Sequence, residues 1–413
     1  MNSPKKNLKH NNFLELIKNK ILYIVNPENQ NQNPGFIYLQ PSSASSEDVT
    51  LSTKDVTVDG EEFESEIHWI IYPLDGGQYI IANLDHGKVL SMTDSEYEDL
   101  HDSSIELEEY TGNPNQHWSF ETNEENISYY VIRNIRYGYL IGYGYPFKPY
   151  VVPTPNEIRK NPNNLLLNWT FEESKNIYIP SNPTIETLDS FPKLTSENYN
   201  RQLPDQTPRR LTGWTTLPAP LVKDGHRTLK QQLQDTPYYV LEKYQYWKKL
   251  RQTALEGQQS DTQQIKYEQT DTTSQTIAQT TGITVTKDAG FSFGLGSILG
   301  GSGSIRQQIT NNLNVSESQT TEVRIDTENT DEYHNPFNSV LYYAKYILMT
   351  ELVLKRPAQN NQDNDIEISR YIYNDPNTVQ TSAYSKEQEE QATGIVMSKV
   401  SIPTTQNSDI QCK

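Results

Sequence analysis

Cysteine is nearly absent from this chain. The single thiol, Cys412, stands beside the end of the 413 residues, so no intrachain disulfide forms and the fold must stand on packing. Long apolar runs are missing too, and no stretch approaches the roughly 18–20 apolar residues of a membrane helix. Clustered cations are also lacking. With 35 Lys plus Arg against 53 Asp plus Glu, the net charge is −18, which excludes nucleic acid as a partner because phosphate binding is driven by clustered cations. After Lys5, Lys6 and Lys9, the apolar Phe13, Leu14, Leu16 and Ile17 are interrupted by Glu15 and Lys18, so no Sec signal peptide is expected. The seven histidines (His10, His68, His86, His101, His117, His226, His334) show no metal-ligand spacing. No Gly-x-Ser-x-Gly elbow appears either, so neither catalysis nor a metal or other cofactor is expected.

What is present points to β-structure. Only 34% of residues are hydrophobic, yet there are 27 Tyr, 10 Phe and 5 Trp, too many aromatics for a disordered chain. Thin cores packed by rings beneath Ser/Thr/Asn/Gln-covered faces fit this balance. Charge divides the chain: residues 1–175 hold 13 basic and 26 acidic side chains, whereas 176–413 hold 22 and 27. Such a shift marks two domains.

The first half repeats itself. Ile67-His68-Trp69-Ile70-Ile71, Gln116-His117-Trp118-Ser119-Phe120 and Leu167-Asn168-Trp169-Thr170-Phe171 each place a large apolar residue two positions after a Trp. In the same phase run Tyr23-Ile24-Val25, Tyr79-Ile80-Ile81 and Tyr130-Val131-Ile132, each followed by a Gly-bearing turn and a second apolar segment. Three copies of about 50 residues, each of short strands ending on a Trp, predict a closed pseudo-threefold barrel. The pattern resembles the ricin-B-type β-trefoil, whose Gln-x-Trp-x-Phe signature is intact at Gln116 to Phe120. Trp69, Trp118, Trp169 and Gln116 read as core. In lectin trefoils a carboxylate takes sugar hydroxyls while a ring covers the apolar sugar face, which makes Asp94, Tyr143 and Tyr145 the candidate glycan contacts. Tyr-rich loops serve equally as a protein-binding surface.

Residues 176–209 are proline-rich, with little periodicity, and read as an extended linker. The aromatic run from Thr236 to Trp247 alternates as a strand does. From Gln258 to Thr286 and from Ile305 to Ile325 the chain is dense in Thr, Ser and Gln, with weakly apolar residues on one parity, so two long strands are predicted. Between them Ala289, Phe291, Phe293 and Leu295 alternate with Gly and Ser, and Ile298 and Leu299 precede a Gly-rich turn. That alternation suits a membrane β-hairpin with one lipid face and one lumen face. A flexible surface hairpin is the competing reading.

Trp69-Ile70-Ile71-Tyr72-Pro73-Leu74-Asp75-Gly76-Gly77-Gln78-Tyr79, Thr236 to Trp247, Ile305 to Thr310 and Ser318-Gln319-Thr320-Thr321 together resemble the Bin/Tpp (toxin-ten) family of bacterial insecticidal crystal proteins. The resemblance implies an all-β protein, a β-trefoil joined to an elongated antiparallel, aerolysin-type pore-forming domain. The expected division is a propeptide-like segment over 1–14, the trefoil over 15–175, the linker over 176–209, the pore-forming domain over 210–385, and a tail over 386–413 removed on activation. It further implies a parasporal crystal inclusion of a sporulating bacterium, which acts in the insect gut. Trimming by gut proteases is expected near Lys18, Lys20 and Lys386. The expected partners are a midgut receptor or glycan, the target-cell membrane, a second toxin component, and further copies of the chain in a homo-oligomer formed on activation. The alternatives are a lectin that forms no pore and a trefoil-bearing glycoside hydrolase. For the hydrolase, the acidic run from Asp94 to Glu109 reads as a solvated face rather than a catalytic pair.

Overall fold

The computed structural model describes residues 13–26, 37–41, 47–53, 67–74, 77–93, 104–122, 128–144, 148–152, 167–222, 224–265, 313, 329–358, 365–374 and 378–389. Among these, antiparallel strands dominate and helix is confined to short segments, so the expected all-β class holds.

Twelve strands make the head, four to each sequence repeat. They are β1 (Lys20–Asn26), β2 (Ile37–Pro41), β3 (Val49–Thr53) and β4 (Trp69–Pro73); β5 (Tyr79–Asn83), β6 (Lys88–Met92), β7 (Ile105–Glu108) and β8 (Trp118–Thr122); and β9 (Tyr130–Asn134), β10 (Leu140–Gly144), β11 (Lys148–Val152) and β12 (Thr170–Asn176). The first and fourth strands of the repeats pair around a ring: β12 on β1, β1 on β4, β4 on β5, β5 on β8 and β8 on β9, with a Tyr130–Trp169 bridge completing it. Closure leaves this ring without a free edge. The second and third strands form hairpins that meet one another.

Two side-chain types, repeated in phase, explain why this sequence closes in threes. The indole N–H of Trp69, Trp118 and Trp169 donates to the carbonyl of Leu39, Leu90 and Ile141, each at 2.9 Å. All three rings are fully buried, so each satisfies its one polar atom while filling the core. Asn83 and Asn134, also fully buried, close the turns that follow their strands. Their side-chain oxygens accept from the amides of Asp85 and His86 (3.1 and 2.9 Å) and of Arg136 and Tyr137 (3.1 and 3.3 Å). The glycines that end these turns, Gly87 and Gly138, have φ of 66° and 71°, the left-handed region that glycine enters without steric cost.

The core of the ring is aromatic. Ile71, Phe120 and Phe171, the residues two past each Trp, meet there, and Phe13 from the short helix over 13–17 packs among them. Its ring lies 4.5 Å from Phe120, 4.8 Å from Tyr130, 5.2 Å from Tyr79 and 5.5 Å from Phe171. Phe13 and Ile17 are therefore trefoil core, although the sequence places Phe13 in a propeptide-like segment.

The body is a long sheet ordered β13 (Arg210–Pro218), β14 (Tyr238–Leu255), β17 (Leu341–Arg356) and β18 (Ile366–Asn374), with β19 (Gln380–Tyr384) on the far part of β17. β14 and β17 pair over almost their whole length, about 50 Å at 3.3 Å per residue. β15 (Ser260–Ile265) and β16 (Asn329–His334) form a separate two-stranded ribbon. The connector before β13 is laid along the sheet rather than free of it: Leu194 and Leu203 are buried against Ala344 and Tyr346, and the Glu186 amide donates to the Leu211 carbonyl at 2.7 Å. The Trp247 indole N–H donates to the Asp189 carbonyl at 2.9 Å, and the Tyr346 hydroxyl to the Pro204 carbonyl at 2.7 Å.

Head and body share one core. Ile70, Tyr72, Ile80 and Val89 of the head pack with Leu217, Leu233, Leu241, Leu352 and Leu354 of the body. The Tyr72 hydroxyl donates to the Pro237 carbonyl at 3.1 Å. Gly87 lies so close to the helix Leu229–Asp235 that a Cβ there would collide with the Lys230 backbone. That helix is fixed by a capping box, Thr228 with Gln231, which spends the free amides of its first turn.

Candidate functional site

The second repeat of the head carries a polar cluster. Ser91 lies on β6 and Glu108 ends β7, where the paired strands bring them to diagonal positions, and the Ser91 hydroxyl donates to the Glu108 carboxylate. The Asn115 side-chain amide donates to Ser91 Oγ at 2.9 Å and to the Met92 carbonyl at 3.3 Å. The backbone carbonyl of Asn115 in turn accepts from Asn134 at 2.8 Å, which fixes its position. Below it His117 is fully buried, with Nε2 against the Tyr110 hydroxyl at 3.2 Å. Burial pushes the His117 imidazole down to about 4, so it is neutral throughout the physiological range, and pushes the Tyr110 phenol well up.

Asn115 Oδ1 and His117 Nδ1 have no hydrogen-bond partner among the described residues. Buried polar atoms are ordinarily paired, and since both of these are sealed from the surface, enclosed water rather than an outside ligand suits them. The partly buried Glu108 carboxylate and Asn115 carboxamide can accept from and donate to sugar hydroxyls, while the fully buried Ser91 hydroxyl holds the two together. Gln116 takes no part. Its oxygen accepts from the Thr111 amide and hydroxyl (2.8 and 3.0 Å) and its nitrogen donates to the Glu109 carbonyl (2.7 Å), so it holds the loop in front of Trp118.

The glycan candidates read from the sequence are Asp94, Tyr143 and Tyr145. Asp94 and Tyr145 lie outside the described residues, and Tyr143 sits on β10 of the third repeat. Of the expected cleavage points, Lys18 is exposed at the turn after the N-terminal helix, beside Asn19 with its φ of 61°. Lys20 is already in β1, ion-paired to Glu173 at 2.9 Å. Lys386 lies 6.0 Å from the Tyr199 ring centre, beyond the end of β19. The insertion candidates Ala289, Phe291, Phe293, Leu295, Ile298 and Leu299 lie outside the described residues.

The structure does describe what holds that segment. Residues 266–328 leave from β15 and return into β16, whose last pair is Ile265 with Asn329, so the segment starts and ends at adjacent backbone positions. The bends that join this ribbon to β14 and β17 are fastened by the buried Asn335. Its amide donates to the carbonyls of Leu255 (3.1 Å), Glu256 (2.8 Å) and Ser339 (2.8 Å), and its oxygen accepts from the Phe337 amide (3.0 Å). Arg251 is ion-paired with Asp261, which also accepts from the Tyr343 hydroxyl at 3.2 Å, and the Tyr343 ring stacks on Tyr333 at 4.5 Å.

A pseudo-threefold head carrying a polar cluster and sharing its core with a long antiparallel sheet defines a two-domain, trefoil-headed β-protein. Comparison with known proteins places it more narrowly. Residues 65–143 match the ricin-type β-trefoil lectin domain-like family, and residues 211–351 match the family described as Insecticidal Crystal Toxin, P42. The chain is 24% identical over 375 residues to insecticidal crystal protein Cry35Ab1 of Bacillus thuringiensis, covering 90% of this chain and 91% of that protein. It is 27% identical over 323 residues to binary larvicide subunit BinA of Lysinibacillus sphaericus, covering 75% of this chain and 81% of that protein. The crystal structure of Cry35Ab1 superposes with a TM-score of 0.69 at 23% identity, covering 91% of this chain and 96% of that one, so the two share a fold. The chain is thus similar over most of its length to an insecticidal crystal protein and a binary larvicide subunit, and its body carries the match to the Insecticidal Crystal Toxin, P42 family.

Proposed function

We propose that this protein is an insecticidal crystal protoxin whose head binds a glycan or receptor on midgut cells and whose body, after proteolytic activation and oligomerisation, opens a β-barrel pore. It acts by permeabilisation rather than catalysis. It is stored as a parasporal inclusion and works with a second toxin component, a reading supported by its likeness to a binary larvicide subunit. The observation that supports the pore is the β15–β16 ribbon, whose terminal pair, Ile265 with Asn329, brings the two ends of 266–328 together. Its sequence alternates large apolar residues with Gly and Ser, as a lipid-facing strand requires. In lipid only a closed ladder satisfies the backbone, so oligomerisation must precede or accompany insertion.

Release of a trapped dye from vesicles made of midgut-membrane lipid, after trypsin treatment, tests this reading. Activated protein is expected to empty the vesicles. Phe293→Asp, which puts a charge on the lipid face at somewhat less than the roughly 2–4 kcal/mol per subunit that Lys or Arg costs at a bilayer midplane, is expected to leave them full while the soluble fold persists. Equal release by both proteins would show that 287–303 does not enter the membrane.

For the head, Glu108 and Asn115, held together by the buried Ser91, are assigned the ligand contacts. Asn115→Ala should weaken glycan binding by about tenfold or more, since hydrogen bonds to a buried carboxamide are worth about 1–3 kcal/mol. A glycan array read with parent and variant checks it. Unchanged binding by Asn115→Ala would move the site elsewhere on the head, and no binding by the parent would favour recognition of a protein receptor.

A further inference from the structure

The two bends that join the ribbon to the sheet lock into each other. In the first, 256–259, Gly257 lies so close to Asn338 that a Cβ there would collide with the Asn338 backbone. Beside it Gln258 takes a left-handed φ of 61°, which a residue other than glycine keeps only where its surroundings hold it. The Gln258 amide donates to the Phe337 carbonyl at 3.0 Å and its side chain to the Pro336 carbonyl at 3.0 Å, while the Asn335 amide donates to the Gln259 carbonyl at 2.9 Å. The second bend, 335–340, is gripped from outside as well. The amides of Asn338 and Ser339 both donate to one carboxylate oxygen of Glu387, at 3.0 and 3.3 Å. Glu387 sits on a helical turn over 386–389, in a stretch that the sequence reads as expendable tail. Ser385, which is buried, starts that turn: its hydroxyl accepts from the Gln388 amide at 3.0 Å and its carbonyl from the Glu389 amide at 3.2 Å. Just before it the Tyr384 ring stacks on Tyr199 at 4.8 Å. The carboxylate is thus aimed by a turn anchored on the sheet, and Lys386, next to it, is exposed.

We propose that Glu387 is a clasp on this double bend, fixing the direction in which the β15–β16 ribbon leaves the sheet, and that cleavage after Lys386 opens it. The cut separates Ser385, which stays with the sheet, from Glu387, which leaves with the residues that follow. Two charge-assisted hydrogen bonds are lost together, and these are the stronger kind. The bend across from them, with its left-handed Gln258, then loses part of what holds it. Trimming at Lys386 therefore acts on the bend as well as shortening the chain. The link from the clasp to activation rests on the pore reading, whereas the clasp itself rests on the soluble structure.

Hydrogen exchange on the full-length soluble chain, read by mass spectrometry, tests the clasp without any membrane. In Glu387→Ala the amides of Asn338 and Ser339 lose their acceptor directly, so the deciding peptide is the opposite bend, 256–260. Its exchange should rise about tenfold or more, as the loss of hydrogen bonds to a charged group implies. Glu389→Ala removes a carboxylate of the same turn, one that accepts from the Tyr384 hydroxyl, and should leave that bend at the parent's rate. Parent cut by trypsin after Lys386 should match Glu387→Ala, and Lys386→Gln carried through the same digestion should not. If Glu387→Ala does not fold, the two digested proteins decide the question between them. An opposite bend that keeps the parent's rate in Glu387→Ala, or that rises equally in Glu389→Ala, overturns the clasp. A parent that trypsin leaves whole at Lys386, or whose bend stays slow after the cut, overturns the trigger. Dye release by the parent is a separate readout: its absence would end the link to activation and leave the exchange result to stand or fall by itself.

Discussion

Replacing Asp224 by Ala is expected to cost about 3–5 kcal/mol of stability, among the largest effects of any single substitution in the body. The Asp224 side chain is fully buried. It accepts from Arg356 Nε at 2.8 Å and Nη2 at 2.7 Å, from the Tyr239 hydroxyl at 2.8 Å, and from the His226 amide at 3.0 Å. Burial works to raise this carboxyl. The His226 amide, the Tyr239 hydroxyl and the Arg356 guanidinium outweigh it and hold its pKa below the usual carboxylate range. Removing the carboxylate leaves the buried Arg356 cation without its partner beside the head–body core. Urea unfolding of the two proteins measures the difference, with Asp205→Ala as the control. Asp205 is 93% exposed where it meets Lys249, and its loss should cost less than about 1 kcal/mol. A penalty for Asp224→Ala no larger than the control's would show that the node is not structural.

Alkaline pH is expected to produce a steep, cooperative unfolding between about pH 10 and pH 12 rather than a gradual loosening. Burial raises the phenols of Tyr238, Tyr239 and Tyr346 to about 12 and those of Tyr72, Tyr79 and Tyr110 higher still. In the unfolded chain the same groups ionise near pH 10. Folded pKa values above unfolded ones leave stability intact below pH 10 and remove it as pH rises towards the folded values. Each phenol then contributes a loss of about 1.4 kcal/mol per pH unit, on the order of 8 kcal/mol per unit for the six together. That slope consumes the roughly 5–15 kcal/mol of a typical domain within one to two pH units. Four of the six, Tyr72, Tyr110, Tyr238 and Tyr239, lie in or against the head–body core. Phenolate absorbance should therefore show the exposed tyrosines titrating first and a delayed jump coincident with loss of near-ultraviolet dichroism. A single smooth titration centred on pH 10 with the fold retained would contradict the expectation.

The threefold plan was legible because its markers recur in phase. A Trp every 49 or 51 residues, with an apolar residue two further on, can be counted in one dimension. The cluster of Ser91, Glu108 and Asn115 was not, since it depends on the pairing of β6 with β7 and on a loop that returns Asn115 to Ser91. The one available signal was weak: Asn115 precedes the intact Gln-x-Trp-x-Phe motif. Phe13 was misplaced for a different reason. A terminal stretch rich in Lys reads as expendable, and nothing local announces that one of its rings completes an aromatic core assembled from three distant repeats. The connector failed in the same way. Its prolines speak of extended chain, whereas the burial of Leu194 and Leu203 is decided by β14, β17 and β19, which lie far along the sequence.

The most direct test of the proposed pore formation is electrical. Trypsin-activated protein added to a planar bilayer bearing the midgut receptor or glycan should produce discrete, stepwise increases in conductance, and Phe293→Asp should produce none. A bilayer that binds the activated parent, shown by a labelled head, yet stays silent across repeated trials would contradict pore formation and leave the protein a trefoil lectin.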